Sequence, residues 1–147
     1  MSKENAWAAT ANGKPQVGQV AETTLKLTPE VTEKFAEISG DNNPVHFDPE
    51  VAERSIFKRL IGHGAMTIGC LNGVMARELP GPGCVMMHAD WKFFNPSYVG
   101  ETITGRVEVI EVRDDKPMVK VKTTVTRPDG EICLDGTVLC YVSPNGA

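Results

Sequence analysis

Hydrophobic positions run along this chain with two periods, and the change from one to the other predicts the architecture. Val17 to Leu27 holds a short alternation of apolar and polar residues and is expected to form a first strand. Helical spacing follows. Thr28 suits a cap and Pro29 the first turn, while Val31, Phe35 and Ile38 recur on one helix face until Gly40 stops the run. Pro44 lacks an N–H and disfavours helical backbone at Asn43, so Asp41-Asn42-Asn43-Pro44-Val45-His46 is expected as a loop. Asp48-Pro49-Glu50 then opens a second, short helix to about Arg54.

Gly64 to Ala76 carries no charge, and its Met66, Ile68, Cys70, Leu71, Val74 and Met75 occupy more than one face. Such a pattern predicts a helix buried nearly all round, yet too short to span a bilayer. Gly69 and Gly73 are expected to let a sheet or a second chain approach it closely. After Pro80-Gly81-Pro82-Gly83 the strand period takes over, first in Cys84 to Phe94, then in Thr102 to Arg113 with Ile103, Val107 and Val109 on one face. The phase slips at Ile110 and Val112, which predicts a bulge. Val119, Val121 and Val125 alternate with Lys120, Lys122 and Thr124. The turn Arg127-Pro128-Asp129-Gly130 then leads to a last strand, Ile132 to Val142. Helices first, a buried central helix, then an antiparallel meander make an α+β fold in which a sheet wraps a helix. Residues 1–16 show no period and read as a loose N-terminal arm that a partner subunit would order in part; residues 17–147 read as one domain.

Composition narrows the classes of function. The chain is 41% hydrophobic and 23% charged, ordinary for a globular protein, and its net charge of −4 gives no basic field for nucleic acid or an anionic membrane. With no apolar run of signal or membrane length, the expected location is the cytoplasm. Cys70, Cys84, Cys133 and Cys140 lack metal or redox spacing and read mainly as small buried hydrophobes. Lys58, Arg59, Lys92 and Arg106 are readable as plain solvated charges.

The chain contains no nucleophile elbow, no phosphate-binding glycine loop and no histidine pair spaced for a metal, so no metal site is expected. What remains is Asp41-x-Asn43-Pro44-x-His46. On a turn set by Pro44 a carboxylate and an imidazole can converge on one water, one taking its proton while the other delivers a proton to carbon. Asn43 would orient the water or the carboxylate. Asp-Asn-Asn-Pro is equally an ordinary turn and helix stop. The second candidate is Ile61-Gly62-His63-Gly64, ahead of the central helix. Free N–H groups at a helix start suit a carbonyl oxygen gaining charge. Alternatively, the glycines shape a tight entry with His63 packed beside it.

Together these segments resemble the MaoC-like, (R)-specific enoyl-CoA hydratase family of the hot-dog fold. The likeness rests on Asp41-Asn42-Asn43-Pro44-Val45-His46-Phe47-Asp48, on Ile61-Gly62-His63-Gly64 with its small-residue helix, and on Phe93 to Glu101, which is similar to a family strand entering a P-x-x-x-G-D/E turn. It extends from about Gly18 to Val142. The resemblance implies an antiparallel sheet wrapped around a long central helix, with an overhanging helical and loop segment carrying the motif. It implies reversible hydration of a trans-2-enoyl-CoA to a (3R)-3-hydroxyacyl-CoA, with Asp41 and His46 activating the water, Asn43 in support and the Gly64 N–H holding the thioester carbonyl. No cofactor is implied, coenzyme A being part of the substrate, and the acyl-CoA and a second copy in a homodimer are the expected partners. Asn72 stands where some relatives have a serine lining the site, and is expected to line the acyl pocket; outside the likeness it would be a buried amide bonded to backbone.

Rival readings are a carrier-protein dehydratase, a thioesterase, and a non-catalytic acyl-CoA-binding hot-dog domain. Many thioesterases of this fold place an acid on the central helix, and Gly64 to Ala76 has none. A carrier-protein dehydratase wants a basic docking patch, for which Lys58 and Arg59 are thin support.

Overall fold

The computed structural model describes residues 5–146. Strands β1 (Val20–Lys26), β2 (Cys84–Phe93), β3 (Thr102–Val112), β4 (Met118–Thr126) and β5 (Ile132–Val142) form one antiparallel sheet. Their order is β1-β3-β4-β5-β2, which leaves β1 and β2 as the edges. Period-two alternation turns Ile103, Val107 and Val109 of β3, Val119, Val121 and Val125 of β4, and Val138 and Cys140 of β5 into the core. The expected bulge is present: β3–β4 pairing shifts register between Val109 and Glu111, so Ile110 is the extra residue.

Three α-helices precede or interrupt the sheet: α1 (Pro29–Ser39), α2 (Pro49–Arg54) and α3 (Gly64–Arg77). The first two are capped as their sequences predict. Thr28 Oγ1 accepts the Val31 N–H at 3.1 Å, and Asp48 Oδ1 accepts the N–H of Glu50 at 3.0 Å. On α1 the expected inward face holds in part, since Val31 and Phe35 pack against the core while Ile38 does not. Thr32 and Ala36 are its buried residues, while Ile38 is 83% exposed. The helix overhangs the start of α3 rather than lying on the sheet, and an apolar groove remains between the two helices.

α3 lies across the inner face of the sheet through Met66, Cys70, Leu71, Val74 and Met75, all buried. The close approach comes from the sheet, not from the helix glycines. A Cβ at Gly105 of β3 would stand 2.9 Å from Cys70 Sγ, whereas one at Gly69 would meet nothing within 4 Å. Burial all round is also not what forms, because Ala65, Gly69, Asn72 and Ala76 are exposed along the outer side.

The expected loose arm is different in the described residues. From Asn5 the chain folds in tight turns, Trp7 is 1% exposed within the main core, and its Nε1–H donates to the Arg113 carbonyl at 2.7 Å. A lone aromatic in this stretch has no periodicity to betray it, and its acceptor comes from a residue just past β3, far along the chain. Trp7→Ala is expected to cost about 3–5 kcal/mol in urea unfolding. Trp7→Phe, which keeps an aromatic ring but loses the N–H that pairs the Arg113 carbonyl, is expected to cost at least about 1–3 kcal/mol.

Candidate active site

Two loops meet at the N-terminus of α3. The first runs from the end of α1 to α2. Pro44 starts a short 3-10 turn over Pro44–His46, capped by Asn43. The turn aims His46 inward, where it is 7% exposed, and leaves the Asp41 carboxylate at the surface, 47% exposed. Asp41 Oδ1 accepts the backbone N–H of Asn43 at 3.1 Å. That bond orients the carboxylate, and the asparagine's side-chain oxygen is turned instead to the N–H of Val45. The second loop is Ile61-Gly62-His63. It is held to the first by the Ile61 N–H donating to the Val45 carbonyl at 3.3 Å, and to the strand exit by the Gly62 N–H donating to the Ser97 carbonyl at 2.8 Å.

These ties place Asp41 Oδ2 at 3.7 Å from His46 Nε2. His46 Nδ1 lies 2.7 Å from the Ile61 carbonyl, an acceptor only, so Nδ1 carries a proton and it is Nε2 that faces the carboxylate. One water at ~2.8 Å from both groups fits that 3.7 Å gap. Gly64 follows directly. His63 caps α3 without a side-chain bond to it, so the first N–H groups of the helix remain available.

Gly64 also lines a cavity of about 320 Å³ with Phe57, Ile61, Phe93, Pro96 and Ser97. Its walls are mainly apolar, and the buried Ser97 hydroxyl has no hydrogen-bond partner among the described residues. Cys133 closes one side, its thiol pushed up by burial. The Pro96–Tyr98 wall is braced by Arg127, which donates to the Pro96 carbonyl at 3.0 Å and is held by Asp129, a bond that raises the guanidinium further. Asp129 is held low by the Glu131 N–H and then by Arg127. Arg59 lies over the Tyr98 ring at 4.0 Å, and Arg106 is paired with Glu108, away from the site.

Of the expected site residues, Asp41 and His46 come together, Asn43 contributes through its backbone, and Gly64 follows His63, which touches both of them, while lining the cavity that neither Asp41 nor His46 lines. Asn72 does not join them: it is exposed on the outer side of α3 and lines neither the cavity nor the α1–α3 groove. Eight residues past Gly64, it sits on the helix face turned away from the sheet. His63 is packed beside the helix entry, as one reading of the sequence had it, but its reach to the first loop was not foreseen. It is 1% exposed, its Nε2 lies 2.9 Å from the Asp41 carbonyl, and its ring stacks on His46 with centroids 3.9 Å apart. A bulky imidazole between two glycines at a helix start was the available signal. Asp41, His46 and His63 offer atoms within 4.8 Å of one another, a donor set that spacing along the chain could not reveal. They are the residues that would hold a divalent cation, although the carbonyl bonds already use one nitrogen of each ring.

The description of the MaoC like domain matches residues 10–129. The (R)-specific enoyl-CoA hydratase of Aeromonas caviae is 32% identical over 121 residues, 82% of this chain and 90% of the relative. The 3-hydroxybutyryl-CoA dehydratase of Methylorubrum extorquens is 36% identical over 108 residues, 74% of this chain and 68% of the relative. Among solved structures, an (R)-hydratase from A. caviae aligns with a TM-score of 0.84 at 30% identity, over 87% of this chain and 97% of that one. The fold is thus the hot-dog fold, and the chain belongs to the MaoC-like family. Its relatives of these names add water to a double bond or remove it, which sets the chain among the hydro-lyases.

Gly62 sets how closely the second loop meets the strand exit. A Cβ there would stand 2.6 Å from Ser97 Oγ and 2.9 Å from Leu27 Cδ1. Gly62→Ala is expected to lower stability by about 1–3 kcal/mol, read from the urea midpoint at unchanged slope.

Proposed function

We propose that the protein catalyses reversible hydration of a trans-2-enoyl-CoA to the (3R)-3-hydroxyacyl-CoA. The observation that carries this is the facing pair Asp41 Oδ2 and His46 Nε2, 3.7 Å apart beside an uncapped helix start. A water held by both groups gives up one proton to the pair as its oxygen attacks C3. The electron pair of the double bond moves toward the thioester, and the charge on its oxygen is met by the Gly64 N–H. The proton is then delivered to C2 from the same side. Water is added in full and no electron is transferred, so neither a redox group nor a metal ion is required by the chemistry. A positioned acid–base group typically contributes 10²–10⁴-fold, and one oxyanion donor about 10²–10³-fold. The apolar cavity beside Gly64 receives the substrate on this reading. The four free thiols suit a reducing compartment such as the cytoplasm.

The working form is a homodimer joined through β2. This edge strand leaves Val85 47%, Met86 39%, Met87 59% and Phe93 58% exposed, with Phe94 beyond it 58% exposed. An apolar edge with unpaired backbone groups is a template for a second strand, and pairing with a second copy covers both.

Crotonyl-CoA, followed by loss of its enoyl-thioester absorbance, is expected to be hydrated to the (3R) product, and Asp41→Asn to slow this by at least about 10²-fold with the fold retained. Wild-type protein inert toward crotonyl-CoA and toward longer and branched enoyl-CoAs would refute the hydratase reading. Sedimentation is expected to give a dimer, and Met87→Lys on the β2 edge to shift it to monomer; a wild-type monomer at all concentrations would exclude the pairing.

A further inference from the structure

We infer that His63 is a positioning residue, holding the water-activating pair in register through the main chain of Asp41 and the ring of His46. This rests on the hydratase reading of the same site and adds a residue to it.

The geometry is a crossed clasp. His46, on the first loop, donates from Nδ1 to the carbonyl of Ile61 on the second, at 2.7 Å. His63, on the second loop, donates from Nε2 to the carbonyl of Asp41 on the first, at 2.9 Å. Each ring is anchored on the backbone that carries the other. The rings lie against one another at 3.9 Å between centroids and 30° between planes, and Phe35 packs on the far ring at 4.8 Å from His63. With His63 in place, the Asp41 backbone and the His46 ring are both fixed relative to the helix start.

Packing alone does not account for a histidine here. His63 is 1% exposed and therefore out of reach of substrate, and its Nδ1 has no hydrogen-bond partner among the described residues. An apolar ring would fill the same space without burying an unpaired nitrogen. What an apolar ring lacks is the Nε2–H aimed at the Asp41 carbonyl. That donor also fixes the tautomer: because a carbonyl only accepts, the proton sits on Nε2 and the bare nitrogen is Nδ1.

The test pairs an activity measurement with one that does not depend on turnover. Long-range 15N–1H correlation of the histidine rings is expected to show His63 as the Nε2–H tautomer and His46 as the Nδ1–H tautomer. A His63 carrying its proton on Nδ1 overturns the proposal whatever the activity. With crotonyl-CoA, His63→Leu is expected to lower kcat by roughly 10²-fold at little-changed KM, as a displaced catalytic pair does. His63→Gln keeps a donor at the Nε2 position, and is expected to recover to within about tenfold of wild type. Wild-type turnover with His63→Leu unimpaired, or with Leu and Gln equally slow, overturns the positioning role and leaves the hydratase reading standing. Absence of turnover in wild type overturns that reading, and the positioning role of His63 with it.

Discussion

Everything at the site follows from the burial of the apolar face of α3 against the inner face of the sheet. Met66, Cys70, Leu71, Val74 and Met75 face the valines and leucines of β3, β4 and β5, and each large side chain so buried contributes about 1.5–3 kcal/mol. Gly105 removes the one side chain that would hold the helix off the sheet. With the axis of α3 settled, its N-terminus emerges at one definite place, between the Ser97 strand exit and the loop that follows α1. A helix start is the one end of α3 with free N–H groups, and the fold delivers it where a carboxylate and an imidazole already wait.

The remaining positioning is done largely by backbone. Asp41 is oriented by the Asn43 N–H, His46 by the Ile61 carbonyl, and the two loops by the bond between Ile61 and Val45. Both side chains are thereby held by groups that cannot titrate. The pair is also divided between environments: His46 is almost wholly buried while Asp41 is nearly half exposed. One member is shielded by packing and the other stands open to solvent.

Elements decided by short-range physics are readable without the fold. Pro29 and Thr28 start a helix because of what their own atoms can and cannot bond, and β3 shows its bulge at Ile110 because the alternation itself breaks there. Residues whose role depends on distant neighbours are not readable in this way. Ile38 shares helical spacing with Val31 and Phe35, yet α1 overhangs α3 and leaves it in solvent. Trp7 is core because the end of β3 provides an acceptor for its ring nitrogen. Asn72 is on a helix with a buried side and an open side, and spacing does not say which is which.

By its sequence alone the chain determined its α+β class, the order of its helices and strands with their limits to within a few residues, and the motif in which Asp41 and His46 flank a proline turn. Caps, breakers and periodicity act over a few residues, so they are written locally. Tertiary structure alone decided that His63 joins that pair, that Asn72 lies on the open side of α3, and that Trp7 belongs to the core. Those outcomes turn on contacts between residues far apart in the chain, such as His63 with the Asp41 carbonyl and Trp7 with that of Arg113. Only the tertiary fold brings such partners within hydrogen-bond distance.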